Sequence, residues 1–284
     1  MSKYMIVLGG GESGVGAALL GHQLGYKVFV SDKGTIGTSF QKELDDHQIQ
    51  WEQGQHTAAQ ILQADLVIKS PGIPSDIPIV EAIRSAEIPL LSEIEFASLH
   101  TDAELIGITG TNGKTTTAML THHLLASAGK SVALAGNIGE SFAKAITTNS
   151  PDYWVLELSS FQLEDILSFH PRYAVMTSLT PDHLDRYNNS FDRYVDAKFC
   201  MLKNQTEEDY FIYDDTDDEI KLALERHKPK SQRIPYTDKK IKDKRFNSID
   251  MIRIDNPSFE GIHNSKNAMA AATIAQLVNI RKQT

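Results

Sequence analysis

The sequence predicts an α/β protein made of two parallel-sheet domains, and three observations carry that reading. Short apolar runs of strand length alternate with stretches of helical period. Two glycine-rich loops each follow a strand and open a helix. The chain has 284 residues, too many for one small domain and comfortable for two.

Composition narrows the function classes. Apolar residues make up 41% and charged ones 23%, an ordinary globular balance. No apolar run approaches the length of a membrane span, and no membrane partner is expected. The apolar stretch at residues 4–8 is too short for a secretion leader and reads as a first strand. The net charge of −9, from 37 acids against 28 bases, disfavours nucleic acid as a partner. The single cysteine, Cys200, excludes an intramolecular disulfide and with the missing leader points to the cytoplasm. Cys200 lies among Tyr194, Val195, Phe199, Met201 and Leu202, so a buried core thiol is expected rather than a nucleophile. A monomer is expected.

The first series of elements is a strand at 4–8, a helix at 15–24, a strand at 27–30, a strand at 65–68 reached after residues 57–62, and helices at 77–86 and 93–99. A second series begins with a strand at 105–109 and a helix at 115–128. It continues with a strand at 131–135, a helix at 141–147, strands at 153–158 and 173–177, and a helix at 191–203. Later strands are expected at 210–213, 233–236 and 251–254, and a closing helix from 265 to about 280. The stretch 206–247 is dense in charge and reads as a solvated edge of the second domain. The boundary falls near residues 100–103, which gives domains 1–100 and 101–284.

The loop Thr109-Gly110-Thr111-Asn112-Gly113-Lys114-Thr115-Thr116 joins a strand to a helix. Glycines let backbone amides converge on phosphate oxygens, and the helix N-terminus adds partial positive charge. Lys114 can reach the β- and γ-phosphates of ATP, and the Thr115 hydroxyl can bind Mg²⁺. This makes the second domain a P-loop-type α/β ATPase. The standard pattern would have glycine where Ile108 stands, so the match is to a shortened form. A glycine turn with an accidental Gly-Lys-Thr is the bland alternative, and the strand–loop–helix context argues against it. Glu157 ends the strand 153–158 and would face the same crevice as Thr115, as a carboxylate for Mg²⁺. His183 sits in a loop after the strand 173–177, where Pro181 stops any helix.

The other glycine loop, residues 9–16, satisfies G-x-G-x-x-G through Gly9, Gly11 and Gly14, with Asp32 ending the next strand. This makes the first domain Rossmann-like. The pattern serves a nicotinamide-dependent dehydrogenase and a nucleotide-sugar diphosphate equally well, because both need a diphosphate on helix N-terminal amides.

Gly110-Thr111-Asn112-Gly113-Lys114-Thr115, Gly136-Asn137-Ile138-Gly139, Glu157-Leu158-Ser159-Ser160-Phe161-Gln162-Leu163, Asp182-His183-Leu184-Asp185-Arg186-Tyr187 and His263-Asn264-x-x-Asn267 occur in that order. The sequence thereby resembles the Mur ligases, ATP-dependent amino-acid ligases of cell-wall precursor synthesis, whose own loop has the shortened form. The first glycine loop, Ser70-Pro71-Gly72-Ile73-Pro74 and Ser92-Glu93-Ile94-Glu95 point to the member that joins D-glutamate to UDP-N-acetylmuramoyl-L-alanine. A sister ligase adding another amino acid is the alternative.

The resemblance implies roles. Gly11, Glu12, Ser13, Gly14, Asp32 and Lys33 would hold the UDP part of the substrate. Gly110, Thr111, Asn112, Gly113, Lys114, Thr115 and Thr116 would hold the ATP phosphates, and Asn264 and Asn267 would lie near the adenine. Thr115 and Glu157 would bind one Mg²⁺ and His183 a second. Asn137, Ser159 and Gln162 would contact the muramoyl-alanine portion. Lys114, His183 and Lys198 would be catalytic, Lys198 as a carbamylated lysine serving as a metal partner. By its own context Lys198 reads as a surface lysine on a helix, so the carbamate comes from the resemblance alone. The family has a third domain that carries most D-glutamate contacts, and this chain stops at Thr284. The expectation is a chain that binds the uridine substrate but does not complete ligation efficiently.

Overall fold

A computed structural model of the chain describes residues 2–236 and 262–280. The elements run β1 (Tyr4–Leu8), α1 (Glu12–Gln23), β2 (Lys27–Asp32), α2 (Thr38–Asp46), β3 (Gln50–Gln53), α3 (Ala58–Ile61), β4 (Leu66–Lys69), α4 (Pro78–Ser85), β5 (Leu90–Ser92) and α5 (Glu93–Ser98). There follow β6 (Glu104–Thr109), α6 (Lys114–Ser127), β7 (Val132–Gly136), α7 (Phe142–Thr148), β8 (Tyr153–Glu157), β9 (Tyr173–Met176), α8 (Phe191–Phe199), β10 (Tyr210–Asp214), α9 (Asp218–His227), β11 (Gln232–Tyr236) and α10 (Ile262–Leu277). No helix among the described residues is long and apolar enough to cross a membrane.

The strands form two all-parallel sheets, ordered β3-β2-β1-β4-β5 and β11-β10-β9-β6-β8-β7. Parallel sheets are buried on both faces, which accounts for the near-continuous apolar strands such as Met5–Leu8 in β1, all 0% exposed. In each sheet the strand order reverses beside its first strand, and ligands of such sheets bind outside the carboxyl ends at that reversal. Both glycine loops leave the sheets there, one after β1 and one after β6.

The chain divides into two compact units. The first holds Met1–Thr101 together with Gly139–Ser150 and Phe161–Phe169, and the second holds the remainder. In the first unit Ile6, Leu8, Phe29 and Val67 pack with Ile79, Val80 and Ile83 of α4 and with Ile61. In the second, Ile106, Ile108, Val155, Val175 and Ile212 pack with Ala118 and Leu125 of α6 and with Met269, Ala270, Ile274 and Val278 of α10.

The domain expected over 101–284 is not one of these units as it stands, since 139–150 and 161–169 pack with the first unit. The reason lies in two buried acids of α5. Glu95, 1% exposed, accepts the backbone amides of Leu167, Ser168 and Phe169 at 2.8–2.9 Å and the Ser168 hydroxyl at 2.5 Å. Glu93, also 1% exposed, accepts the Ala143 amide at 2.6 Å at the start of α7. A buried carboxylate needs several donors, and residues 167–169 supply them to Glu95. Glu93 Oε2 has no hydrogen-bond partner among the described residues, which fits a carboxyl that keeps its proton. α7 then packs on α1, where a side chain at Gly16 would collide with the Ser141 hydroxyl.

Several elements depart from the sequence expectation. α1 opens at Glu12 rather than 15, so the glycine loop itself supplies the first turn. α2, β3 and β5 were not anticipated, and α9 crosses the stretch read only as a charged edge. The helix expected over 191–203 ends at Phe199 and tightens into a 3₁₀ turn at Cys200–Leu202. Cys200 is half-buried, not a core thiol. The strand expected at 251–254 lies outside the described residues.

Candidate functional site

In the second unit, β6 delivers Thr109 and the loop turns through Gly110 to Gly113, the N-cap of α6. Gly113 has φ +86°, and a side chain there would collide with the Asn267 amide, so no other residue fits. This puts Asn267 of α10, 8% exposed, directly against the loop. The opening turn of a helix leaves its amides without intrahelical acceptors, which directs those of residues 114–116 at whatever the loop encloses.

The segment after β9 holds the loop in shape. The Thr111 amide donates to the Ser178 carbonyl (2.8 Å) and the Asn112 amide to the Ser178 hydroxyl (3.0 Å). The Thr177 hydroxyl donates to the Asn112 carbonyl (2.6 Å), and Thr111 Oγ1 meets Tyr194 OH at 3.0 Å. Thr177, Ser178 and Tyr194 were not singled out from sequence. The only signal for the first two is that they follow a strand of the same sheet.

Lys114 Nζ folds back onto its own loop, donating to the carbonyls of Gly110 (3.0 Å) and Thr111 (2.8 Å). Its pKa is lowered by burial, opposed by Glu157 and Asp182. Lys198, expected on the surface from its sequence context, is 2% exposed. Its Nζ donates to the same Gly110 carbonyl (2.8 Å) and lies 4.7 Å from the centre of the Tyr194 ring. Burial, with the Lys114 ammonium beside it, pulls the Lys198 amine down to about 7, against the pull of Asp182.

Glu157 closes β8 and pairs in register with Ile108 and Gly136. Its carboxylate accepts the Thr115 hydroxyl at 2.8 Å on Oε2 and the Asn137 amide at 2.9 Å on Oε1. Hydroxyl and carboxylate side by side are the hard oxygen donors that Mg²⁺ takes when phosphates and water complete its shell. Among the described residues no three His, Cys, Asp or Glu side chains cluster tightly enough to hold a metal alone. His183 adopts a left-handed backbone, φ +48°, and its half-exposed ring lies 3.5 Å from Asp182.

In the first unit, Gly11 caps α1 and Ser13 lies in its first turn. A side chain at Gly14 would collide with the Gly9 carbonyl, so the strand-to-helix turn requires glycine there. Asp32 uses both carboxylate oxygens on the backbone, accepting the Gly10 and Gly34 amides at 2.6 Å each. It braces the glycine loop against the end of β2, while Lys33 is exposed. Glu12 accepts the Ser141 amide at 3.2 Å. Ser159 falls in the second unit and Gln162, 3% exposed, in the first. Asn264 is half-buried on α10.

The fold and this loop define a phosphate-loop α/β protein preceded by a Rossmann-like parallel-sheet unit. Residues 108–275 match the Mur ligase middle domain and residues 5–78 the MurD N-terminal domain. A UDP-N-acetylmuramoylalanine–D-glutamate ligase of Christiangramia forsetii is 46% identical over 296 residues, covering 100% of this chain and 66% of the relative. One of Bacteroides fragilis is 44% identical over 292 residues, covering 99% and 66%. The chain thus spans 66% of the length of these curated relatives. Among solved structures, a UDP-N-acetylmuramate:L-alanyl-gamma-D-glutamyl-meso-diaminopimelate ligase of Neisseria meningitides has a TM-score of 0.66 at 18% identity, covering 98% of this chain and 94% of that one. A UDP-N-acetylmuramate-alanine ligase of Thermotoga maritima has a TM-score of 0.57 at 20% identity, covering 98% and 65%. These two show the fold. The chain belongs to the Mur ligase family.

Proposed function

We propose that this chain carries the uridine-nucleotide and ATP sites of an ADP-forming ligase that joins D-glutamate to UDP-N-acetylmuramoyl-L-alanine in peptidoglycan precursor synthesis. The observation that carries it is the set Lys114, Thr115 and Glu157, gathered around the loop after β6. It is supported by the 46% identity to a relative of that printed name.

The substrate carboxylate attacks the γ-phosphorus of ATP, the bond to ADP breaks, and an acyl phosphate forms. The D-glutamate amine attacks the acyl carbon, phosphate leaves, and the amine gives up a proton. Bringing a carboxylate to a polyanion requires charge neutralisation. Lys114 supplies part of it by turning from its loop carbonyls to the transferred phosphate. Thr115 and Glu157 would hold one Mg²⁺ and His183, with Lys198, a second; when bound, the ions neutralise phosphate charge. Asn137 already holds Glu157 and would join the muramoyl-alanine portion to the metal carboxylate, with Ser159 and Gln162 as further contacts. Asn264 and Asn267 would flank the adenine, which the packing of Asn267 on Gly113 supports. Gly11, Glu12, Ser13, Gly14, Asp32 and Lys33 would hold the UDP. Lys198 would lose its ammonium proton, and the neutral amine would add CO₂ and release a second proton to give a carbamate, which turns a buried cation into an anion. Its burial beside Lys114 on one carbonyl supports this.

The test is a titration of the 284-residue chain with UDP-N-acetylmuramoyl-L-alanine and, separately, with ADP and Mg²⁺. Heat from both is expected. No binding of the uridine compound sinks the reading of the first unit. The reaction is tested by D-glutamate-dependent phosphate release, compared between this chain and a version of the relatives' length. Release independent of D-glutamate in both overturns the ligase reading.

A further inference from the structure

β4 ends on Lys69, which is 1% exposed. A buried ammonium is costly unless paired and hydrogen-bonded. Here Nζ lies 2.9 Å from Asp165 Oδ2 and donates to the Ile73 carbonyl at 2.8 Å. Arg84 of α4 approaches the other oxygen of the same carboxylate, Nη2 to Oδ1 at 3.2 Å, and donates from Nη1 to the Ser75 carbonyl at 3.0 Å. Asp165 is itself fixed, since its carbonyl accepts the Ser92 amide at 3.3 Å. Two cations therefore share one carboxylate, and each also holds a carbonyl of the turn that follows β4.

That turn lies over the first glycine loop. The Ser70 amide donates to the Leu8 carbonyl at 2.9 Å. Ser70 Oγ is 2.6 Å from where a Gly9 side chain would begin and 2.9 Å from the same point on Gly14. The Ser70 hydroxyl is buried and has no hydrogen-bond partner among the described residues. A turn this close to the loop must keep its shape, because a small shift either fills the loop or withdraws the hydroxyl from it.

We infer that Lys69 and Asp165, assisted by Arg84, are positioning residues for the uridine-diphosphate site, holding the 70–75 turn at the edge of the glycine loop. This rests on the reading of the first unit as the UDP-binding unit. Lys69 acts through the turn and does not itself touch the ligand.

The experiment compares the 284-residue chain with Lys69→Met, Asp165→Asn, Arg84→Met, Lys69→Arg and the double variant Lys69→Met/Asp165→Leu. Binding of UDP-N-acetylmuramoyl-L-alanine and of ADP with Mg²⁺ is measured by calorimetry, melting temperature by unfolding, and amide exchange over residues 70–75 by mass spectrometry. Lys69→Met and Asp165→Asn are expected to weaken the uridine ligand about tenfold and Arg84→Met about twofold, with ADP affinity unchanged. Lys69→Arg recovers most of the affinity. The double variant removes both charges and regains melting temperature, yet still binds the uridine ligand weakly because Ile73 has lost its donor. If it regains affinity as well, Lys69 is only a counter-ion and the inference is overturned. Unchanged ligand affinity in Lys69→Met overturns it too. If the wild-type chain binds no uridine ligand, the UDP reading fails. Exchange over 70–75 still decides the brace, and no rise in Lys69→Met rejects it.

Discussion

The two glycine loops are built alike and equipped differently. Each leaves the first strand of a parallel sheet at the point where strand order reverses, and each opens the following helix. After β1 the loop carries no basic side chain, and the polar groups around it serve the backbone. Asp32 takes two amides and Glu12 takes one, while Lys69 and Arg84 hold the neighbouring turn. After β6 the loop carries Lys114 and Thr115, with Glu157 within 2.8 Å of the threonine hydroxyl and Lys198 on the Gly110 carbonyl. On the proposed reading the first loop serves as a cradle for binding, and the second, with an ammonium held only by its own loop carbonyls, a hydroxyl beside a carboxylate and a second buried amine, serves phosphoryl transfer.

The sharpest way to break this contrast is Lys114→Ala. D-glutamate-dependent phosphate release by a version of the relatives' length should fall by about 10³-fold or more, while calorimetric affinity for the uridine substrate stays unchanged. Comparable loss of both would mean that the loops do not divide the work. Glu157→Gln should lower the same rate by about 10²-fold and raise the Mg²⁺ concentration needed, read from a metal titration. A rate indifferent to Mg²⁺ in both proteins removes the metal role of Glu157.

On the cradle side, Asp32→Asn replaces one amide-accepting oxygen with a donor facing the Gly10 or Gly34 amide. Uridine-substrate affinity should drop by about tenfold with no change in ADP binding. Equal weakening of ADP would contradict the separation of sites.

The smallest effect on activity is expected at Glu93, and it shows as a pH dependence of stability. Burial, reinforced by Glu12 and opposed by the Ala143 and Phe142 amides, raises its carboxyl to about 7 from 4.5. The native state keeps this proton between those values while the unfolded chain releases it. The stabilisation is therefore complete below about 4.5 and is lost as pH rises through 7. Glu93→Gln should flatten this decline, a difference of about 3 kcal/mol across the window in denaturant titrations. Parallel curves for both proteins would show that Glu93 titrates normally.

What the sequence made legible follows from where its signals are strong. β1, β6, β8 and β9 are near-continuous apolar runs and fell close to their observed bounds. β3 reads Gln-Trp-Glu-Gln and lies at a sheet edge, so it has no apolar alternation to find. α2 buries only Leu44, and α9 buries Ile220, Ala223 and Leu224 within a charged stretch, so both look like solvated loops. The phosphate loop was legible because glycine, lysine and threonine spacing is local. The brace at Lys69 was not, because Asp165 is 96 residues away in sequence and only the fold brings them to 2.9 Å. The burial of Lys198 was hidden for a similar reason. Its helix is amphipathic, and only the long-range contact with the Gly110 carbonyl shows that Lys198 lies on the inner face.

The two stretches that return to the first unit limit how this polypeptide can be divided. Cutting it after residue 101 would leave Glu95 without the amides of 167–169 and α1 without α7. Neither piece would be whole, so residues 1–101 expressed alone should be poorly folded and recover order when a separate fragment 102–284 is added. The protein is thus suited to split-complementation, with reassembly re-forming the packing of α7 on α1 and returning to Glu95 the amides it finds only on the other fragment.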